Sequence, residues 1–351
     1  MISYKEDIFK KFDFVVKNFD NLFIPFSGGK DSGMIINLFI EYLKDKKIKN
    51  KVIIYHLDYE IQYPQTTLYI EKMLNLLKKY LKFKFLHICM PFKAQCSMSI
   101  FQTYWRPWDV GKKDLWIRAL PKKSINIYNH NFSFWDDSLS DFDFNKLLLL
   151  YLDSMLNGQS CVFSGFRADE CTKTCKNMFF TNLKLRKYFI KKEQNLYTFY
   201  PLFELSNSNI LTFYEKNSYL LNPIYEIFLA LGANKEYLKE ASSFNNNVLG
   251  LLKYMKQIEY KMWEKTLKRV YGVDFTAKYH SKGAFGYKEM IPKGYDLKSF
   301  INFLLNSFDD SLRENFLSKF RILASKDELT YQKMYQILLS YDYNKKYQGA
   351  L

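Results

Sequence analysis

The stretch that decides the fold is Leu22-Phe23-Ile24-Pro25-Phe26-Ser27-Gly28-Gly29-Lys30-Asp31-Ser32-Gly33, which predicts a strand, a glycine-paired turn and the start of a helix. Two adjacent glycines let the backbone come close to an anion. Ser27, Ser32 and the Lys30 ammonium supply donors, together with the first free amides of the helix. Asp31 can hold the water shell of a magnesium ion or cap the helix. The stretch therefore predicts a phosphate-binding turn.

Two other interpretations fit this turn less well. A Walker A loop needs Gly-Lys followed directly by Ser or Thr and a wider spacing of its glycines, and Lys30 is followed by Asp31. A surface turn capped by Asp31 explains the glycines. It explains neither the strand before them nor the apolar helix after them.

The segments on either side of the turn alternate between strand and helix patterns. Apolar residues at helical spacing predict a helix over residues 31–46, and a short β-branched run predicts a buried parallel strand over 51–57. Tyr63-Pro64 opens a second helix, and residues 83–90 supply a third strand. This order predicts an α/β fold with a Rossmann-like, doubly wound parallel sheet.

Ligands of such sheets lie beyond the carboxyl ends of the strands, where the strand order reverses. The turn and Asp58 both follow predicted strands. Asp58 is predicted to accept from a nucleotide ribose or adenine amine, or to hold magnesium; the alternative is a turn or helix cap. His56 lies near the same strand end and is interpreted as a core histidine.

A fourth strand, from Ser160, delivers Gly165-Phe166-Arg167-Ala168-Asp169-Glu170-Cys171 to the same edge of the sheet. Gly165 permits a close approach of the backbone. Arg167 offers a bidentate cation, and Asp169 and Glu170 offer two carboxylates. These four residues are predicted to line the site of a phosphorylated ligand.

The region of residues 91–135 has little periodicity and is rich in Trp, Arg and Pro, which predicts a long inserted loop. Arg106 and Arg118 can stack on and pair with an anionic substrate. The equal alternative is that Trp105 and Trp108 only anchor the insert onto the sheet. Further along, apolar residues between Leu249 and Val270 predict one long amphipathic helix that begins at about Ser242 and whose opposite face is basic and includes Arg269. This basic face can bind nucleic acid, although an ordinary solvated helix face is the stronger alternative.

The six residues from Ser27 to Ser32 resemble the pyrophosphate loop, or PP-loop, of the N-type ATP pyrophosphatases, a superfamily that includes the phosphoadenosine phosphosulfate reductases. Residues 56–66 look like the second motif of the reductase family. Residues 165–171 resemble a Gly-Ile-Arg-Ala-Asp-Glu-Ser run of a reductase-like branch, with Cys171 in place of Ser. Pro201-Leu202 and Asn222-Pro223-Ile224-Tyr225 match two later landmarks, whereas Asn209-Ile210-Leu211 departs from the family's Asp-Ile-Trp.

The order of these landmarks is similar to that of the IbrA-type, phosphoadenosine phosphosulfate reductase-like proteins. The resemblance implies an adenine nucleotide alpha hydrolase-like domain over residues 1–232 and a mostly helical C-terminal region over 233–351. It also implies a role in prophage regulation or phage defence and a protein partner of the ParB/sulfiredoxin fold.

By the same resemblance, classical reduction of a phosphosulfate requires a cysteine near the C-terminus, and no cysteine follows Cys175. Unless Cys171 or Cys175 has been recruited, the expected chemistry is cleavage of ATP to AMP and pyrophosphate. Lys30, Asp31 and Arg167 are the predicted catalytic residues, and Asp31 or Asp58 would hold Mg²⁺. Two alternatives remain open: a nucleic-acid sulfur-modifying enzyme, and a non-catalytic nucleotide sensor acting as a transcription co-activator.

The composition bounds the partners. The formal charge of +16 comes from 52 basic and 36 acidic residues and attracts polyanions such as DNA or RNA, although a solvated lysine-rich surface explains it equally well. No window is apolar enough to predict a membrane span, and the N-terminus lacks a signal-peptide profile. Five cysteines without a regular framework fit reduced thiols. We therefore expect a cytoplasmic protein.

Overall fold

The structure is a computed structural model of the 351-residue chain. It describes residues 2–99, 102–170, 189–193, 195–235, 238, 244–245, 249–279, 294–306, 308, 310–324 and 330–339. Cys171 and Cys175, singled out above, lie outside the described residues.

A seven-stranded sheet forms the centre of the molecule. The strands of the described residues are β1 (Asn21–Pro25), β2 (Lys51–Leu57), β3 (Lys84–Cys89), β4 (Ala94–Ser99), β5 (Gln102–Trp105), β6 (Ile125–Asn126), β7 (Ser160–Phe163), β8 (Phe189–Glu193) and β9 (Leu196–Phe199). The sheet order is β6-β3-β2-β1-β7-β9-β8, in which β8 alone is antiparallel. Strands β4 and β5 form a separate antiparallel hairpin.

Helices cover the sheet and make up most of the C-terminal part. Those of the described residues are α1 (Ile2–Asn18), α2 (Lys30–Lys44), α3 (Pro64–Leu77), α4 (Asp141–Ser154), α5 (Asn207–Asn217), α6 (Ile224–Ala230), α7 (Leu249–Leu252), α8 (Met255–Ile258), α9 (Tyr260–Arg269), α10 (Val273–Tyr279), α11 (Leu297–Asn306), α12 (Asp310–Ala324) and α13 (Tyr331–Leu339). None of these helices is long and apolar enough to cross a bilayer.

The sheet separates two apolar layers. One layer packs α1, α2, α3 and α5 against the sheet through residues such as Phe12, Phe39 and Met73. The other contains the β4–β5 hairpin, α4 and α6 to α10, joined through residues such as Phe144 and Trp263. The region after residue 232 thus shares a core with the sheet as far as α10. Helices α11 to α13 form a third cluster.

The structure confirms the predicted doubly wound parallel sheet and corrects two details. The region of residues 91–135 is not a loop throughout, because it contains the β4–β5 hairpin and a short 3₁₀ helix, Val110–Leu115. The long amphipathic helix is divided into α7, α8 and α9, and Glu259 between the last two has φ −141° and ψ 80°, outside the helical region. Arg269, expected on its solvent face, is only 4% exposed.

Candidate phosphate-binding site

The predicted loop lies at the point where the strand order reverses. The chain passes from β1 to β2 on one side, and β7 later returns to the other side of β1. The carboxyl ends of β1 and β7 are therefore neighbours. A ligand at this edge meets the loop after β1 and the segment after β7 together.

Gly28 makes the tight turn between β1 and α2. Its φ of 83° lies in the left-handed region, which a residue with a side chain enters only with strain. A Cβ atom at this position would also lie 2.8 Å from Cγ2 of Thr66 in α3. The turn therefore requires glycine for backbone conformation and for space.

The loop presents hydrogen-bond donors at the N-terminus of α2. The Ser27 hydroxyl accepts from the Gly29 amide at 3.2 Å and lies 3.0 Å from the Ser32 hydroxyl. The amides of Asp31 and Ser32 donate to no group among the residues that the structure describes. Two amides without an acceptor among the described residues, at the positive end of a helix and beside two hydroxyls, are suited to contact with an anion.

Three residues from α5, α6 and the turn between them hold the loop in place. Asn222 Nδ2 donates to the Gly28 carbonyl at 2.9 Å, and the Lys30 amide donates to the Tyr225 hydroxyl at 3.0 Å. Burial raises the pKa of Tyr214, so its hydroxyl stays protonated and donates to the Lys30 carbonyl at 2.6 Å. The sequence marked residues 222–225 as a family landmark but did not predict that they contact the loop.

Lys30 and Arg167 converge on one carboxylate, that of Asp31. Lys30 Nζ lies 2.9 Å from Oδ2, and Arg167 Nε donates to Oδ1 at 2.7 Å. Arg167 also donates to Asp169 at 2.7 Å and is only 1% exposed. The structure thus brings together the three residues predicted to be catalytic. Both cations are held on Asp31, beside the free amides.

Gly165 lets the end of β7 approach the loop. A Cβ atom there would lie 3.4 Å from Asp31 Cβ and 3.5 Å from the Ser32 amide nitrogen. Asp169 is anchored further back, since its Oδ2 accepts from the Asn207 amide at the start of α5. Glu170 ends a 3₁₀ turn, Ala168–Glu170, and its side chain lies outside what the structure describes.

Asp58 is placed differently from the other predicted ligands. Its carboxylate has no exposed surface and accepts from Arg118, from His87 Nε2 at 2.7 Å and from the Glu60 amide at 2.9 Å. Burial alone raises the pKa of Asp58, but the charge of Arg118 and the His87 hydrogen bond outweigh burial, so the pKa lies well below its ordinary value. A magnesium ion or ribose at Asp58 would have to displace these partners.

His56, Asp58 and His87 bring three potential metal-ligand atoms within 4.8 Å of one another. The same atoms are already engaged. His56 Nδ1 lies 2.9 Å from the Phe26 carbonyl and its Nε2 lies 2.8 Å from Gln62 Oε1. Burial lowers the pKa of His56, which favours the neutral ring. The cluster acts as a hydrogen-bond network that joins β2 and β3 to the loop strand.

Both arginines predicted to contact a substrate from the inserted region instead form hydrogen bonds within the protein. Arg118 donates to Asp58 and to the Glu60 carbonyl, and its guanidinium lies 5.0 Å from the centre of the Trp108 ring. Arg106 donates to the carbonyls of Pro91 and Asp137. Trp108 is 1% exposed, in agreement with the anchoring alternative.

Glu60 is a buried hub that the sequence did not reveal. Its carboxylate accepts from the amides of Trp108 and Ile117 at 2.7 and 2.9 Å. It also accepts two hydrogen bonds from Arg269, one from Nε to Oε1 at 3.1 Å and one from Nη2 to Oε2 at 3.2 Å. One carboxylate therefore joins the segment after β2, the insert and α9.

The described cysteines are poor nucleophiles. Cys89, Cys96 and Cys161 are buried and free. Burial raises the pKa of all three thiols, that of Cys96 to about 11. A nucleophilic cysteine must be a thiolate near neutral pH, so none of these three fits that role.

Residues 21–233 match the family described as the phosphoadenosine phosphosulfate reductase domain, and residues 232–327 match a domain of unknown function (DUF3440). The uncharacterized protein YbdN of Escherichia coli (strain K12) is 22% identical over 351 residues, covering 91% of this chain and 84% of YbdN.

Two solved structures are similar to the chain. A phosphoadenylyl-sulfate reductase from Candida auris, in a phosphate complex, is 12% identical with a TM-score of 0.36, covering 63% of this chain and 84% of the reductase. The U34-tRNA thiolase NcsA from Methanococcus maripaludis, with its [4Fe-4S] cluster, is 16% identical with a TM-score of 0.35, covering 79% of each chain.

Proposed function

Because the chain belongs to the phosphoadenosine phosphosulfate reductase domain family, we propose that its PP-loop binds ATP and cleaves it between the α and β phosphates. The match over residues 21–233 makes the chain a reductase-like PP-loop protein of a nucleotide-binding family.

One observation carries it: Lys30 and Arg167 both lie on Asp31, beside the free amides of Asp31 and Ser32. Two cations on one carboxylate of the loop, together with two loop amides that have no acceptor among the described residues, suit the charge that develops on phosphoryl oxygens when a phosphoanhydride breaks. A phosphate group entering the loop would take the Lys30 and Arg167 contacts that the Asp31 carboxylate now holds.

The proposed reaction transfers AMP to an oxygen nucleophile. The acceptor oxygen forms a bond to the α phosphorus, while the bond to the α–β bridging oxygen breaks and that oxygen leaves with pyrophosphate. The loop amides and Lys30 would hold the pyrophosphate, and Arg167 would stabilise the charge on the transferred group. The acceptor proton leaves to solvent or to the partner, since the loop contains no histidine.

A magnesium ion fits Asp31 better than Asp58. Asp31 has a side chain that is 21% exposed and lies inside the loop, so its carboxylate can join phosphate oxygens around the ion once Lys30 and Arg167 have moved onto phosphate. Asp58 is fully buried and already paired with Arg118. Bound there with ATP, Mg²⁺ would neutralise charge on the phosphates.

The biological setting is also part of the proposal. We expect the protein to work in the cytoplasm, where ATP is available, with a partner of the ParB/sulfiredoxin fold in prophage regulation or phage defence. DNA or RNA is the expected polyanion for a chain of charge +16.

The direct test incubates the purified protein with ATP and Mg²⁺, with and without that partner, and measures AMP and pyrophosphate by ion-exchange chromatography. We expect Lys30→Ala to lower the rate at least about 100-fold, since removal of one charge-stabilising group from a transition state has effects of that order. Lys44→Ala, at the other end of α2, is the matched control and should keep the wild-type rate.

Equal rates for Lys30→Ala and the wild type, or no AMP under any condition, would refute the cleavage reaction. A nucleotide that binds tightly in a Lys30-dependent manner, without turnover, would instead favour the nucleotide-sensor alternative. The sulfur-modification alternative requires a thio group on nucleic acid. Mass spectrometry of co-purified nucleic acid tests it, and absence of any thio modification would count against it.

A further inference from the structure

A second polar cavity lies between the β4–β5 hairpin and the first turn of α4. Its volume is about 450 Å³. Lys93, which lines it, follows β3, and β3 is separated from β1 by β2 in the sheet. Every residue that lines this cavity differs from those that form the PP-loop site. We refer to it as the hairpin cavity.

Three cationic side chains of the hairpin cavity make no close ion pair with a carboxylate of the described residues. Lys93 and Lys112 make no ion pair within 4 Å among the described residues, and Arg106 donates to two backbone carbonyls, which carry no net charge. Arg269, which also lines the cavity, is neutralised by Glu60. The cavity therefore offers positive charge to a ligand with an anionic group.

The hairpin contributes two aromatic residues to the cavity lining. Tyr104 is 51% exposed, so the face of its ring is available for stacking. Trp105 is 3% exposed, and its Nε1 finds no acceptor among the residues that the structure describes. A buried donor without an acceptor is unfavourable, so a ligand or water acceptor that reached Nε1 would stabilise this part of the cavity wall.

Two carboxylates in the cavity lining narrow the class of ligand that fits it. Asp109 and Asp143 also line the cavity, and they would repel a simple anion such as inorganic phosphate. A nucleotide satisfies both kinds of group, because its phosphate meets lysine and arginine while its exocyclic amine donates to a carboxylate. Its base can also stack on Tyr104.

We propose that the hairpin cavity binds one phosphorylated nucleoside unit, either a free mononucleotide or an unpaired residue of a single-stranded nucleic acid. A base inside a duplex cannot enter the cavity without leaving its stack. The overall charge of +16 attracts a strand as a whole, and the cavity would hold one of its units. This inference does not rest on ATP cleavage at the PP-loop.

The test uses fluorescence anisotropy with a labelled single strand of about 12 nucleotides, in RNA and DNA forms, and with the matching duplex. The double variant Tyr104→Ala/Lys112→Ala removes one stacking face and one charge from exposed positions. We expect it to bind the single strand at least about 10-fold more weakly than the wild type. The matched control is Lys79→Ala/Tyr80→Ala, which makes the same changes at exposed positions after α3 and should stay within about twofold.

Binding at the hairpin cavity is distinguished from binding at the PP-loop by measuring it in a Lys30→Ala background, in which the loop lacks its lysine. Binding of AMP is measured by calorimetry in that background, with and without Tyr104→Ala/Lys112→Ala. Loss of strand binding alone identifies nucleic acid as the source of the unit, and loss of AMP binding as well identifies a free nucleotide. These binding measurements do not depend on ATP cleavage, so a negative result in the ATP assay would not alter them.

Three results would overturn the inference. The cavity variant and its control could weaken strand binding equally while the cavity variant keeps full AMP binding, which would mean that only diffuse charge attracts the strand. The wild type could bind the duplex as tightly as the single strand, with AMP binding again unaffected by the cavity substitutions. It could also bind neither a strand nor AMP.

Discussion

Asp58 shows how one buried side chain links the site to the pH dependence of stability. With its carboxylate fully buried and held by Arg118 and His87, its pKa in the folded protein lies below its ordinary value. A carboxyl of this kind stabilises the fold at every pH above its unfolded pKa of about 3.9. The contribution is lost as the pH falls toward the folded pKa.

We predict that Asp58→Asn lowers the free energy of unfolding by about 3 kcal/mol at pH 7, because Arg118 loses its buried charged partner. The difference from the wild type should shrink as the pH falls below about 4, where Asp58 of the unfolded wild type takes up a proton. Urea denaturation at a series of pH values measures it. Asp114→Asn, an exposed carboxylate of the same insert, should change stability by less than about 0.5 kcal/mol at every pH. A difference that grows as the pH falls would contradict the assignment.

At the scale of elements, the Glu60–Arg269 pair joins α9 to the segment after β2 across 209 residues of sequence. Both side chains are almost fully buried, so removal of one partner leaves an uncompensated charge. The pair also fixes the insert, because Glu60 accepts from the amides of Trp108 and Ile117. The C-terminal helices are therefore part of the structure that supports the strand ends.

A double-mutant cycle tests this connection. Glu60→Gln and Arg269→Met should each lower the free energy of unfolding by about 3 kcal/mol, and the double variant should lose less than the sum, with a coupling energy of about 2 kcal/mol. The exposed pair of Asp274 and Lys278 in α10 is the control, and its coupling energy should be below about 0.5 kcal/mol. Additive effects at Glu60 and Arg269 would show that the two regions are not coupled through this contact.

The same elements show how far the sequence can predict the structure. Local patterns were sufficient for β2, whose bounds are those predicted, and for α2, which differs by two residues or fewer at each end. They were also sufficient for the loop and Arg167, since both follow strands that a doubly wound sheet must bring together. Partners distant in sequence could not be predicted. Arg269 lies among the basic residues of an amphipathic pattern, and nothing local distinguishes the one arginine that turns inward to Glu60.

At the scale of the whole molecule, the PP-loop lies where several elements meet. Strand β1 leads into it, and Arg167 reaches it from the segment after β7. Asn222, in the turn before α6, and Tyr225, in α6, both form hydrogen bonds with it. Helices α11 to α13 instead pack around a separate cluster that includes Phe316 and Ile337. A ligand of the loop should therefore stabilise the α/β part of the chain and leave that cluster unchanged.

Hydrogen exchange with and without ATP and Mg²⁺ measures this distribution. We predict slower exchange in α2, in the segment after β7 and in α6, because bound nucleotide lowers the population of locally open states at the elements that it connects. At 100 times the dissociation constant, the stabilisation amounts to about 2.7 kcal/mol, which corresponds to roughly 100-fold slower exchange of amides that open with the site. Lys30→Ala should lose this protection and Lys44→Ala should retain it. Equal protection in α11 to α13, or protection that persists in Lys30→Ala, would place the nucleotide elsewhere on the molecule.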